Sequence, residues 1–436
     1  MSVGVEFYGG NQPFQSLEKL EFMGMSEWEE WLPSPGGGES PDFPRLKELN
    51  INRCPKLRGN LLTHLPSLKK LSVSYCGVLH ENRASNTLNT KTLPRSLEEV
   101  TIYECPGLSW LLESTEMLPS LQMLSVNFFG GTERLPQMVH NSNRLQRLTL
   151  SYCSSLLSLP RNSLPTTLTS LEIVECRKLE FLSRDMMANL TSLQTLYLSE
   201  SCESLRVFPL GIFPKLSSLS FIGCQNLELL SVERADENLS HLNNIYIHCC
   251  PNLVSFRDGG LPTPNLTSFR VSGCENLELL PDRMHTLTAL RTLEIEDVPN
   301  LVSFAQGGLP PNLQSFWIIN CERLRPSVEW RLQRLASLHR FWIGSNQDLL
   351  ETLLEEQLLP TTLHTLEISQ LSNLKSLDGK ALEHLTSLKE LQIGSCESLE
   401  FLPKEGFPAS LSYLSIRDCP SLKKRYRTRR EKIGET

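Results

Sequence analysis

Two stretches about fifty residues apart, LSSLSFIGCQNLELL from Leu216 and LTSFRVSGCENLELL from Leu266, place apolar residues and a cysteine at the same offsets. They define a pattern, L-x-x-L-x-[IVLF]-x-x-C-x-x-L-x-x-[LF]. It begins at Leu17, Leu46, Leu68, Leu97, Leu121, Leu145, Leu168, Leu193, Leu216, Leu242, Leu266, Leu290, Leu313, Leu338, Leu363, Leu388 and Leu411. The mean period is about 24.6 residues, within the range of leucine-rich repeats. A unit this short cannot bury its own apolar face. Neighbouring copies must stack and share one continuous core.

Within each copy, L-x-x-L-x-I alternates as a short strand does, with the second leucine and the following apolar residue on one side. Laid side by side, the strands predict a long parallel sheet. After the strand the chain must turn inward and bury backbone groups that need partners. The cysteine slot lies eight residues after the first leucine. It holds Cys54, Cys76, Cys105, Cys153, Cys176, Cys224, Cys250, Cys274, Cys321, Cys396 and Cys419, and Cys202 is read into it after a one-residue slip. A small apolar side chain with a weak S–H donor suits such a turn, and Asn346 takes the same place in one copy. Twelve of thirteen cysteines are thereby structural, which argues against a disulfide framework or a zinc site.

The connecting arms carry a second period. Pro-led segments such as GGLPPNLQSF and QLLPTTLHTL read as extended, and ALEHLTSLKEL or RLQRLASLHRF read as short amphipathic helices. From Leu168 to Leu411 the two types alternate. The expected fold is an α/β leucine-rich repeat solenoid, a curved horseshoe of about 17 repeats. A parallel sheet should line its concave face, with short helices and extended arms on the convex face. Three segments follow: residues 1–13 as an N-terminal segment, 14–422 as the repeat domain and 423–436 as a basic tail. The stretch from Pro33 to Pro44 reads as an exposed loop, and Trp28 and Trp31 fall in core slots.

The totals exclude several roles. A net charge of −7 and a pI near 5.8 give no bias toward nucleic acid. The one basic stretch, Lys423 to Lys432, holds a single tyrosine and reads as a solvated tail over the last repeat. There is neither a secretory leader pattern nor an apolar run long enough for a membrane span. Three N-L-[ST] triplets, at Asn189, Asn238 and Asn265, are what the arm sequence produces anyway. No nucleophile, acid–base or metal motif has mechanistic spacing, so the expectation is a non-enzyme with no cofactor and no metal.

Several stretches together resemble a known family. PFQSLEKLEFMGMSEWEEW, FPRLKELNINRCPKLRGNLLTHLPSLKKLSVSYCGVL, LTSLQTLYLSESCESLRVFP and GCENLELLPDRMHTLTALRTLEIEDVPNLVSF are similar to the leucine-rich region of plant coiled-coil, nucleotide-binding (NB-LRR) disease resistance proteins. The closing CPSLKKRYRTRREK resembles the end of such a region. The resemblance implies a cytoplasmic location and a defence role, with pathogen effectors or host proteins as partners. It also implies contact with a nucleotide-binding domain in the full-length gene. No G-x-x-x-x-G-K-[ST] phosphate loop occurs here, so the nucleotide switch is not carried over. A substrate-binding adaptor of a ubiquitin ligase, or another interaction scaffold, is the alternative.

A partner should meet the strand residues that point away from the leucine core. Their central column is small and polar early on and turns large and varied from Tyr197. The candidate contacts are Tyr197, Tyr246, His248, Arg270, Glu294, Glu296, Trp317, Ile319, Arg340, Trp342 and Glu367. Trp317 and Trp342 fall one strand apart. They are expected either to anchor a partner or to stack on each other.

Overall fold

The computed structural model describes residues 2–3, 5–8, 14–32, 41, 43–58, 65–77, 94–105, 108, 118–127, 139, 142–159, 164–232, 239–256, 260–304, 307–404 and 406–426. Most of the Pro33–Pro44 stretch lies outside the described residues, as do Asn238 and the tail beyond Tyr426.

Seventeen five-residue strands appear among the described residues, one per repeat and all in the same register of the pattern. The chain divides into two compact units. One comprises Met1–Leu205 with Ile212–Leu216, the other Arg206–Gly211 with Ser217–Thr436. The first unit carries β1 (Lys19–Met23), β2 (Glu48–Asn52), β3 (Lys70–Ser74), β4 (Glu99–Tyr103), β5 (Met123–Asn127), β6 (Arg147–Ser151), β7 (Ser170–Val174) and β8 (Thr195–Ser199). The second carries β9 (Ser218–Ile222), β10 (Asn244–His248), β11 (Ser268–Ser272), β12 (Thr292–Glu296), β13 (Ser315–Ile319), β14 (Arg340–Gly344), β15 (Thr365–Ser369), β16 (Glu390–Gly394) and β17 (Tyr413–Arg417). Within each unit every strand pairs in parallel with the next, residue for residue: Leu293 faces Phe316, and Phe316 faces Phe341. Each unit is a leucine-rich repeat solenoid.

Burial follows the pattern. In nearly every strand the second and fourth residues are buried and the first and third are not, as in β2 or β10; the fifth is buried in some strands, such as β13 and β14. The leucines that open the copies, such as Leu46, Leu168, Leu290 and Leu363, are buried, except Leu17 and Leu411 in the first and last copies, which are half-buried. At the last strand, β17, Leu414 is 38% exposed. An aromatic cluster packs the start of the first unit: Trp28 is buried, Trp31 donates its indole N–H to the Tyr8 hydroxyl at 2.9 Å, and Phe22 and Phe43 adjoin them. Ser2–Val3 pairs with Glu30–Trp31, so described residues upstream of Phe14 pack with the first repeat.

The turn after each strand has one conformation. The residue seven places after the opening leucine has φ between 44° and 69° in every described copy, from Gly24, Arg53 and Tyr75 to Ser395 and Asp418. Its N–H adds one more rung to the ladder, as from Arg53 to the Ser74 carbonyl at 2.9 Å. The cysteine that follows donates its S–H back two residues, Cys76 to Ser74 at 3.3 Å and Cys321 to Ile319 at 3.4 Å. Several thiols also reach the previous repeat, Cys321 to the Ile295 carbonyl at 3.8 Å. Asn346 meets the same need with an amide. Its Nδ2 donates to the carbonyls of Cys321 and Leu324, while its Oδ1 accepts from the Leu349 N–H.

Two expectations are corrected here. Cys202 does not slip into the slot. Ser201 fills it, its hydroxyl donating to Ser199 at 2.7 Å, and Cys202 is buried beside it in a left-handed conformation. Arm type also fails to follow the proline. Helix α1 (Arg184–Asn189) and a single turn at Met284–Thr286 lie where helix is expected. The longest described helix, α2 (Gln347–Glu355), instead precedes Pro360 in an arm read as extended. The Asn346 cap and the buried face of Leu349, Leu350, Leu353 and Leu354 outweigh a proline five residues beyond its end. Helix α3 (Gly379–Leu382) follows β15. In the GGLP arms, Gly308 has φ of 92°, and a Cβ there would stand 2.9 Å from the Glu329 carbonyl oxygen. That explains the glycine.

The slot demands a small donor, so Cys274→Ser and Cys321→Ser should cost about 1 kcal/mol or less. Aspartate at either place buries a charge and should cost about 3 kcal/mol or more in denaturant melts. Equal melting of both variants would refute the assignment. Burial pushes the thiols of Cys202, Cys274 and Cys321 up to about 12, whereas Cys249 is exposed. At pH 8 a native chain should therefore show one rapidly alkylated cysteine among the described residues. Cys249→Ser should abolish that fast phase, and fast labelling at Cys274 or Cys321 would contradict the buried column.

Candidate functional site

Because the second and fourth residues of each strand enter the core, the first, third and fifth form the outward face of the sheet. Strict register turns these into straight rows. In the second unit the central row reads Tyr246, Arg270, Glu294, Trp317, Trp342, Glu367, Gln392 and Ser415 on successive strands. One flanking row contains His248, Ser272, Glu296, Ile319, Gly344 and Ser369. Arg340 opens β14 on the other side and is exposed.

At the centre of the face, Trp317 and Trp342 meet edge to face, with ring centroids 5.6 Å apart at 64°. Both are partly buried and both keep accessible surface. Trp342 is tied at its polar end, its N–H donating to the Ser369 hydroxyl at 2.9 Å. The Trp317 N–H has no protein partner among the described residues. The pair thus stacks and remains reachable, with one indole fixed and the other offering a free donor.

Charge lies beside the aromatics. Arg270 Nε approaches Glu294 Oε2 at 3.3 Å, and the Glu294 side chain is only 15% exposed. Glu294 Oε1 is buried without a hydrogen-bond partner among the described residues. Burial raises the Glu294 pKa above the ordinary carboxylate range; Arg270 opposes the shift and Glu296 adds to it. Burial likewise raises Glu367 on the far side of the tryptophans, with Arg417 opposing. Two carboxylates are thus held partly out of water, one on each side of an aromatic pair. Further along, the Tyr246 and His248 rings lie parallel at 6.0 Å, and His248 Nε2 stands 3.2 Å from Cys249 Sγ.

Not all the expected contacts share this face. Tyr197 is in β8, in the first unit, where it faces Glu172. The other ten residues belong to the second unit. Ile319 is only 4% exposed, so it cannot serve as a contact. Its Cγ2 lies 3.3 Å from where a Gly344 Cβ would stand, and the side chain fills the space that glycine leaves. Glu296 and Arg270 are exposed, and Tyr246, His248, Trp317, Trp342 and Glu367 are intermediate. Ser369 was not anticipated, since a small polar residue at a strand end carries no mark of being a tryptophan's partner. Cys249 is the exposed cysteine outside the slot, whereas Cys202, also outside it, is buried.

Among the described residues no three His, Cys, Asp or Glu side chains converge as metal ligands. No helix among them is long and apolar enough to cross a membrane.

No protein-family model matches the chain. Over 384 residues, 87% of its length, it is 31% identical to an Arabidopsis thaliana protein that carries the name of a disease resistance protein. It is 32% identical over 192 residues, 41% of its length, to a disease resistance RPP13-like protein of the same plant. The chain spans only 26% and 17% of these two relatives. Among solved structures, a leucine-rich repeat protein of Leptospira interrogans superposes with a TM-score of 0.51 at 19% identity. That match covers 80% of this chain and 93% of the other, and it supports the fold alone. Seventeen repeats in one register, together with identity that runs along most of the chain, lead to one assignment. The chain belongs to the leucine-rich repeat regions of plant disease resistance proteins.

Proposed function

We propose that this chain is a non-catalytic recognition region of a cytoplasmic plant defence protein. The outward face of its second unit binds a pathogen effector or a host protein. The observation that carries the reading is the accessible Trp317–Trp342 pair, set among Arg270, Glu294, Arg340 and Glu367. Accessible tryptophan and arginine over a rigid support are what protein-binding hot spots are made of. The support is rigid because the neighbouring strand residues Phe316, Ile318, Phe341 and Ile343 are buried in the core. His248 and Tyr246 extend the same face, and Glu296 lies at its edge.

The reading also explains why Trp342 is fastened. A side chain already held by Ser369 loses little freedom when a partner arrives. Trp317, with its donor unused, is the better anchor for a carbonyl of the partner.

Alanine at both Trp317 and Trp342 should weaken capture of the partner by about 2 kcal/mol or more, roughly thirtyfold, with the fold intact. The measurement is quantitative co-precipitation from infected leaf extract, wild type against the double variant, with circular dichroism to certify folding. Unchanged capture by a folded double variant would remove this face from the interaction.

A further inference from the structure

Around its tryptophans, the outward face of the second unit carries more acid than base. On the outward rows of β11 to β16 stand Glu294, Glu296, Glu367 and Glu390 against Arg270 and Arg340. Three of the four acids have a partner or water. Glu294 is paired with Arg270, Glu390 accepts from the Thr365 hydroxyl and the Gln392 amide, and Glu296 is exposed.

Glu367 differs. It is half-buried, and among the described residues it makes no ion pair or hydrogen bond with another side chain. Arg340, two residues before Trp342, is exposed and forms no ion pair with it. The cation that acts on it, Arg417, lies two strands away in β17.

Directly across the ladder from Glu367 is Trp342. The indole N–H of Trp342 donates to Ser369, on the same strand as Glu367. That bond ties the ring to β15, so a fixed aromatic and an unmatched carboxylate stand on neighbouring strands about 4.8 Å apart. A ring quadrupole and a carboxylate attract the same kind of group, a cation that sheds part of its water against the ring. Trp317 adds a second ring, edge to face with the first.

We propose that the Trp342–Glu367 corner receives a cationic side chain, lysine or arginine, from a protein partner. The inference rests on the reading of this face as a protein-binding surface and adds the chemistry that the surface selects. The aliphatic stem of either side chain covers the accessible surface of the tryptophan pair, while its charged head reaches the Glu367 carboxylate. A carbonyl of the same segment accepts from the Trp317 N–H. An acidic or purely apolar segment would strip water from Glu367 without supplying a countercharge, so the corner discriminates against both.

Capped peptides Ala-Ala-X-Ala-Ala, with X lysine, arginine, norleucine or glutamate, test this when titrated into the full chain at low salt. The readout is the Trp342 indole N–H signal in a heteronuclear NMR spectrum, assigned with Trp342→Phe. A lysine or arginine peptide should shift that signal saturably, and the tighter of the two names the side chain. The norleucine and glutamate peptides should not. Glu367→Gln keeps the size of the side chain and should weaken cationic peptide binding about three- to fivefold. Glu278→Gln, at an exposed acid in an arm off this face, should leave it unchanged. Equal binding of the norleucine peptide, an affinity unmoved by Glu367→Gln, or no response to either cationic peptide would each overturn the proposal. Co-precipitation separates it from the broader reading. Capture lost in Trp317→Ala with Trp342→Ala, yet full in folded Glu367→Gln, keeps the face and removes the cation. Full capture in both variants removes both.

Discussion

Everything in this chain depends on how each strand ends. A parallel strand of five residues must give way to an arm that crosses behind the sheet. The residue that makes the change adopts a left-handed backbone in every described copy, and most of these residues are not glycine. A non-glycine residue in that region costs of order 1 kcal/mol, and the cost recurs along the array. It is offset locally. The N–H of the strained residue joins the ladder, and the small donor that follows satisfies the strand's last carbonyl from within the core. Cysteine, serine and asparagine all perform this task at different copies, so the requirement is for a compact donor, and sulfur is one way to meet it.

Once that turn is secured, the two sides of the sheet are independent. Apart from Ile319, the apolar strand residues that are buried lie on the inner side, where leucine, isoleucine and phenylalanine occupy fixed offsets. The outward side needs only residues compatible with a strand. It can run from Thr101 and Ser125 in the first unit to Arg270, Trp317 and Glu367 in the second without disturbing the core. This is why an array built from one repeated idea can carry a varied surface.

The sequence revealed the repeat and its register because both come from strict spacing. The seventeen opening leucines predicted every five-residue strand, and the cysteine offset predicted the buried column. What spacing could not reveal was local competition. Ser201 and Cys202 are adjacent and both small, and only the hydroxyl's fit to Ser199 decides which enters the slot. Helix α2 forms before Pro360 because Asn346, placed by the column, also caps its first turn. Ile319 occupies an outward position, yet it is buried because its neighbour across the ladder is Gly344. The candidate face was legible as a row of residue types. Its organisation around Ser369, and the concealment of Glu294 Oε1, depend on contacts between strands some twenty-five residues apart in the chain.

The last step concerns the two carboxylates beside the tryptophans. A protein that only needed a stable sheet would gain by replacing Glu294, since burial raises its pKa and one oxygen has no partner among the described residues. For a carboxyl whose folded pKa lies above its unfolded value, stability is fully present below the unfolded pKa. It is lost as pH rises through the folded one. Glu294 and Glu367 therefore weaken the free chain near neutral pH, in the direction opposite to a salt-bridged acid. A partner that brings a donor or a cation to either carboxylate relieves that cost. On the proposed binding reading, the strain held at this face in the free state is returned when a partner docks, which ties its electrostatics to recognition.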